Sequence, residues 1–259
     1  MPVMDEFKEE RAALKNGTLK EKLSYFWCYY KWHVVAAAAI IGFAVSMIVS
    51  IVTSKENALY VAIINGVELP PAAEYPAAFA EYAGIDLDTC DIMFDTTMRY
   101  GDSLDQDTIA SSQKLMTYLA AGELDVFVGD EPVINQYAYN DTFCDLRNIL
   151  TAEQLERYES CFYYLDQELL DALNEAKNSP DYDFGTFTTR PDPKDPEAME
   201  NPVPVGLYLN TASAFLESYY ITGDAVLAIP VNNDNRENTC KFIDFILQPD
   251  GAAGTLGGQ

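Results

Sequence analysis

Histidine is nearly missing from this chain: of 259 residues only His33 carries an imidazole, and it stands at the edge of a long apolar run. Everything after it therefore lacks Ser-His-Asp chemistry, Cys-His chemistry and any histidine-containing zinc site. Positive charge is scarce too, with 16 Lys and Arg against 41 Asp and Glu. Six of those basic residues fall in the first 33 positions, leaving ten basic and 36 acidic residues for the rest. A nucleic-acid binder displaces phosphate counterions with Lys and Arg, so no nucleic-acid partner is expected. An acidic field does suit a cationic ligand, a basic peptide or a divalent cation, and it also keeps an external domain soluble. No glycine-rich phosphate loop or dinucleotide turn occurs. Carboxylates are too numerous for a catalytic pair to stand out, so the expectation is a non-enzyme without a cofactor. The acidic runs Asp86 to Asp91 and Asp102, Asp105, Asp107 lack both the glycine and the distal glutamate of a calcium loop, so no metal site is expected. Of five cysteines, Cys28 lies among aromatics, while Cys90 and Cys240 share apolar faces of a strand and a helix. Cys144 and Cys161 flank a short helical stretch; both a bridge between them and four free thiols are open readings.

The one long apolar run is Val34 to Val52, nineteen residues without a charge. As a helix it reaches about 28 Å, close to the hydrocarbon thickness of a bilayer. A buried core helix would be shorter and carry a polar stripe, and a cleaved export signal has a shorter apolar stretch ending in small residues. A retained, single-pass span is the expectation, with the lipid bilayer as a partner. Lys15, Lys20, Lys22 and Lys31 precede it and only Lys55 follows closely, which places the N-terminus in the cytoplasm and the C-terminal domain outside the cell. Tyr25, Phe26, Trp27, Tyr29, Tyr30 and Trp32 suit a headgroup anchor, or a face for a partner. Thr18-Leu19-Lys20-Glu21 reads as a capping box that starts the helix. The chain thus divides into a cytoplasmic segment 1–33, a transmembrane helix 34–54 and an external domain 55–259.

Within that domain, strands are predicted at 58–64, 90–94, 125–128, 161–165, 205–209 and 225–231. Helices are predicted from Pro70 to Gly84, from Asp107 to Ala121, after Glu131, after Thr151 (a second capping box with Gln154), through Ala214 and Tyr219, and from Asn235 to Leu247. Residues 178–204, with six prolines and many acids, read as a loop rather than a packed unit. Apolar strands alternating with helices predict an α/β fold, a mostly parallel sheet covered by helices on both faces. Ligands on such sheets gather beyond the carboxyl ends of the strands. The candidates there are Asn65, Asp95, Thr96, Thr97, Asp130, Glu131, Asn210, Thr211, Asn232 and Asn233, although caps and turns favour the same residue types.

The stretch LMTYLAAGELDVFVGDEPVINQYAYNDTFCDLRNIL, residues 115–150, resembles extracellular solute-binding proteins of bacterial uptake systems. The matching features are Ala121-Gly122 closing a helix, Asp125 in a strand, a helix from Glu131 to Tyr139, and Asp145-Leu146 in a turn. AIPVNNDNRENTCKFIDFILQPD, at the chain's end, is similar to that family's closing strand and helix. The resemblance implies a periplasmic-binding-protein-like lobe. Such proteins clamp solute between two lobes, and fewer than 40 residues between Leu165 and Val203 leave no room for a second. Two functions follow as expectations. One is an anchored external module that binds a small solute or cationic ligand. The other is a protein-interaction or assembly module of a cell-envelope or transporter complex.

Overall fold

The computed structural model describes residues 18–53, 55–70, 72–101, 106–177, 189–210, 213–220 and 224–247. Asp102, Asp105, Thr211 and residues 178–188 lie outside them, as do the side chains of Tyr25, Phe26, Cys28 and Tyr29. The chain forms two compact units, Met1–Ser54 and Lys55–Gln259.

Among the described residues the first unit contains the helix α1 (Leu19–Thr53). Its segment Tyr30–Val52 has a mean hydropathy of 2.6 with none of it buried in the protein, and is long and apolar enough to cross a membrane.

The second unit is a mixed α/β domain. In chain order it contains β1 (Glu56–Ile63), β2 (Val67–Glu68), α2 (Tyr75–Ala83), β3 (Cys90–Asp95), α3 (Gln106–Ala121), β4 (Val126–Asp130), α4 (Glu131–Ala138) and α5 (Ala152–Tyr158). There follow β5 (Phe162–Asp166), α6 (Gln167–Lys177), β6 (Pro202–Tyr208), α7 (Ser213–Ser218), β7 (Tyr219–Tyr220), β8 (Ala225–Ala228) and α8 (Arg236–Leu247). Six strands make one sheet in the order β3-β1-β4-β8-β6-β5, and β2 pairs with β7 beside it. β1, β3, β4 and β6 point one way, whereas β8 and β5 run against them. The parallel character thus lies in β3-β1-β4, whose connections are helical crossovers.

Alternation along the strands builds two cores. Leu59, Val61 and Ile63 of β1 face α2, α5, α7 and α8 in a layer rich in aromatic rings, including Tyr75, Phe79, Phe215 and Phe242. Tyr60, Ala62 and Ile64 face the other way, toward α3, α4 and α6 through Leu115, Ile134 and Leu170. Both faces of the sheet are covered, which is why its central strands are apolar throughout.

The region read as a loop is in part packed. Within 189–204, Pro193 and Met199 are buried, and the Pro193 carbonyl accepts the Tyr164 amide of β5 at 3.0 Å. Asp166 holds the same segment by accepting the amides of Glu200 and Asn201, each at 3.1 Å. Pro202 and Pro204 then lie inside β6, where a bulge between the Tyr163 and Tyr164 pairings tolerates a residue without an N–H. Composition suggested a solvated excursion; proline at a strand start and at a bulge has the same composition. The four described cysteines, Cys90, Cys144, Cys161 and Cys240, are free thiols.

Candidate functional site

The carboxyl ends of β1, β3, β4 and β6 share one rim of the sheet. That rim carries Asn65, Asp95, Thr96, Thr97, Asp130, Glu131 and Asn210. Asn232 does not join them. It follows β8, which is antiparallel to β4, so it emerges at the opposite rim and donates to the Leu119 carbonyl of α3 at 3.2 Å. Asn233 lies there too, buried, donating to the Asp125 carbonyl and the Thr239 hydroxyl, each at 2.8 Å.

Asp95 centres the densest cluster. The Tyr60 hydroxyl donates to its Oδ2 at 2.7 Å and the Lys114 ammonium to the same atom at 2.6 Å. Thr97 donates to Oδ1 through its amide at 2.8 Å and its hydroxyl at 2.6 Å. Burial alone would push the Asp95 carboxyl up, but the hydrogen bonds from Lys114, Thr97 and Tyr60 outweigh it and hold the pKa down at about 2. Burial, then the bond to Asp95, push the Tyr60 phenol far above its ordinary value. One group stays ionised and the other stays protonated throughout the neutral range, so neither suits proton transfer there. The cluster instead ties α3 to β1 and β3, with the Tyr118 ring meeting Tyr60 edge-on at 5.1 Å.

A second cluster stands where β4 meets α4. Asp130 caps that helix by accepting the Val133 amide at 3.1 Å. Glu131 accepts from the Tyr208 hydroxyl at 2.8 Å, and Lys194 lies 3.8 Å from the carboxylate while pairing with Asp224. The β6 bulge matters for this contact. Val203 and Val205 face the α4 side, so without an extra residue Tyr208 would face away from it. Between the clusters, Asn65 takes a positive φ of 60° and brackets Tyr100, donating to its carbonyl at 3.0 Å and accepting its amide at 2.9 Å. The Thr96 hydroxyl donates to Glu68 at 3.2 Å. Asn210 is exposed.

The rim is thus a band of polar groups whose members, Asn210 apart, are engaged with one another or with the backbone. Among the described residues, clefts open elsewhere. One of about 560 Å³ runs between α5 and α8 and is lined by Arg157, Arg236, Lys241, Glu153 and Asp244. Another, about 530 Å³, lies under the 189–200 segment beside Arg190 and Asp166, and a third, about 380 Å³, flanks Tyr164.

No protein-family model and no curated protein matches the chain. Function therefore has to be argued from these side chains. Lys114, Lys194, Tyr60 and Tyr208 organise the rim, yet the strand-end rule singled out none of them. Their signal was scarcity: with ten cations after His33, each one inside a predicted element has a carboxylate to find.

Proposed function

We propose that this chain is a membrane-anchored binding module. In this reading α1 crosses a bilayer with its Lys20–Lys31 flank in the cytoplasm, and the α/β unit stands outside the cell and engages a partner at its surface. The observation that carries it is the internal satisfaction of the strand-end rim. Asp95, Thr96, Asp130, Glu131 and Asn65 already hold partners within the chain, so a solute arriving there would have to displace charge-assisted bonds. Residues Lys55–Gln259 form one compact unit, which supports a surface-engaging module over a clamp closing around ligand. The resemblance to a solute-binding lobe fits this as a scaffold whose capture role has been given up. The chain is proposed to be neither an enzyme nor a nucleic-acid binder.

A second reading, small-solute binding beside a transporter, is favoured by one feature. The clefts at α5–α8 and under the 189–200 segment, about 560 and 530 Å³, have the size of small-molecule sites. The two readings separate in one experiment on the full chain in native membranes. Chemical crosslinking should capture a discrete protein partner, while thermal-shift screening with amino acids, sugars and cations should leave the melting temperature in place. A solute that raises the melting temperature by several degrees, with nothing crosslinked, would replace the first reading with the second. Protease added to intact cells should degrade the α/β unit; its survival there would overturn the external placement.

A further inference from the structure

The two edges of the sheet are treated differently. At β5 the outward backbone is covered in part, the Tyr164 amide donating to the Pro193 carbonyl. At the other edge, β3 pairs, among the described residues, with β1 alone. An uncovered edge presents a row of unpaired amides and carbonyls, a template for another strand. β3 has six residues, an ordinary strand length, and its residues alternate. Ile92 and Phe94 pack into the aromatic core, while Asp91 and Met93 project on the opposite face. Met93 is 48% exposed and the Asp91 side chain 62%. Helix α3 reaches the Asp95 end of that face through Lys114.

Charge selects the occupant. Asp86, Asp88 and Asp91 are all exposed on β3 and the turn leading into it, and among the described residues the cation beside them is Lys55, 3.6 Å from Asp91 and bonded to the Leu87 carbonyl. A second copy paired along β3 would set these carboxylates against their own equivalents, on a unit already carrying 36 acidic and ten basic residues. Like charges facing each other across a strand pair destabilise it, whereas Lys or Arg in those positions would stabilise it.

We propose that the β3 edge, Cys90–Asp95, is the docking line for an extended, Lys- or Arg-bearing segment of a partner protein. The segment adds as a further strand, with backbone hydrogen bonds supplying affinity. Its basic side chains meet Asp91 and its acidic neighbours, and an apolar side chain covers Met93. This names the surface for the binding-module reading and rests on it.

The test uses the full chain in lipid nanodiscs and a synthetic strand of alternating Lys and Val, with a control peptide of the same sequence in which every backbone amide is N-methylated. The plain peptide should slow hydrogen exchange of those Cys90–Asp95 amides that face away from β1 roughly tenfold or more, and the methylated one should not. The double change Asp91→Lys with Met93→Lys, both at exposed positions, should weaken the plain peptide by about tenfold or more while leaving the circular dichroism spectrum unchanged. Equal binding of both peptides would mean charge attraction without strand addition and would overturn the proposal. So would slow exchange of these amides before any peptide is added, whether dilution abolishes it (a second copy) or not (the chain covering its own edge). If the peptide leaves Cys90–Asp95 unprotected while membrane crosslinks map to another face, this edge is wrong and the binding-module reading stands.

Discussion

Tyr208 and Glu131 lie 77 positions apart in the chain, and a 2.8 Å hydrogen bond joins them where β6 and β4 end. Lys194 completes the group, its ammonium 4.7 Å from the centre of the Tyr208 ring. Replacing Tyr208 with Phe removes one donor and leaves Glu131 beside Lys194. The expected loss is about 1 kcal/mol, read as a lower urea midpoint with an unchanged m-value.

Lys114 compensates a nearly buried carboxylate. Asp95 is only 7% exposed, so Lys114→Met leaves a charge that the phenol and threonine donors neutralise in part. A loss of about 2–3 kcal/mol is expected. Adding Asp95→Asn should restore much of it, because the charge needing a partner is gone. A double-mutant cycle by denaturant unfolding measures the coupling, and additive losses would show that the two residues act independently.

Asp125 gives the domain a pH response. It is fully buried at the foot of β4, where it accepts the Tyr60 amide at 2.8 Å and the Asn235 side chain at 3.1 Å. Burial raises its pKa from 3.8 to about 6, and these hydrogen bonds offset that only in part. The folded state thus holds this proton more tightly than the unfolded chain does. The resulting stabilisation is complete below about 3.8 and is lost as pH rises through 6, so acidification from pH 7 to 5 should strengthen the fold by about 1–2 kcal/mol. Asp95 works in the opposite sense: its contribution is present above 3.8 and lost as pH falls toward 2. Melting curves of Asp125→Asn against the parent between pH 5 and 7 isolate the first effect. Parallel curves across that range would refute it.

Gly206 is required by close packing within the sheet. A Cβ there would stand 2.9 Å from Val226 Cγ1 and 3.0 Å from the Leu227 carbonyl, on the strand that pairs with it. Gly206→Ala should cost about 1–3 kcal/mol and loosen the β6–β8 pairing, visible as faster hydrogen exchange of the Gly206–Tyr208 amides.

The β1 run Ala58 to Ile64, the capping box at Thr151 and Gln154, and the closing helix at Asn235 to Leu247 were all legible, because period and cap chemistry are local properties. Strand direction is not local. Nothing in Ala225 to Ile229 reveals that β8 enters the sheet reversed, and that reversal is what carries Asn232 to the far rim. The bulge that turns Tyr208 toward Glu131 was hidden for the same reason, since it exists only in the pairing of β5 with β6. Candidates chosen at strand ends fell on one shared rim wherever the parallel assumption held. Their partners, Lys114 and Lys194, come from a helix and from the segment read as a loop, which a rule about strand ends does not search.

Asn235 and Asn238, at the start of the last helix, donate to the carbonyls of Asn57 and Ala58 in the first strand, 178 and 180 positions earlier. Strand β1 is therefore sealed by residues synthesised almost 180 positions later, and a chain released before α8 lacks the clasp that fastens it. Contacts of such separation close slowly. A nascent chain halted short of Asn235 should remain open to proteases however well its middle strands have paired.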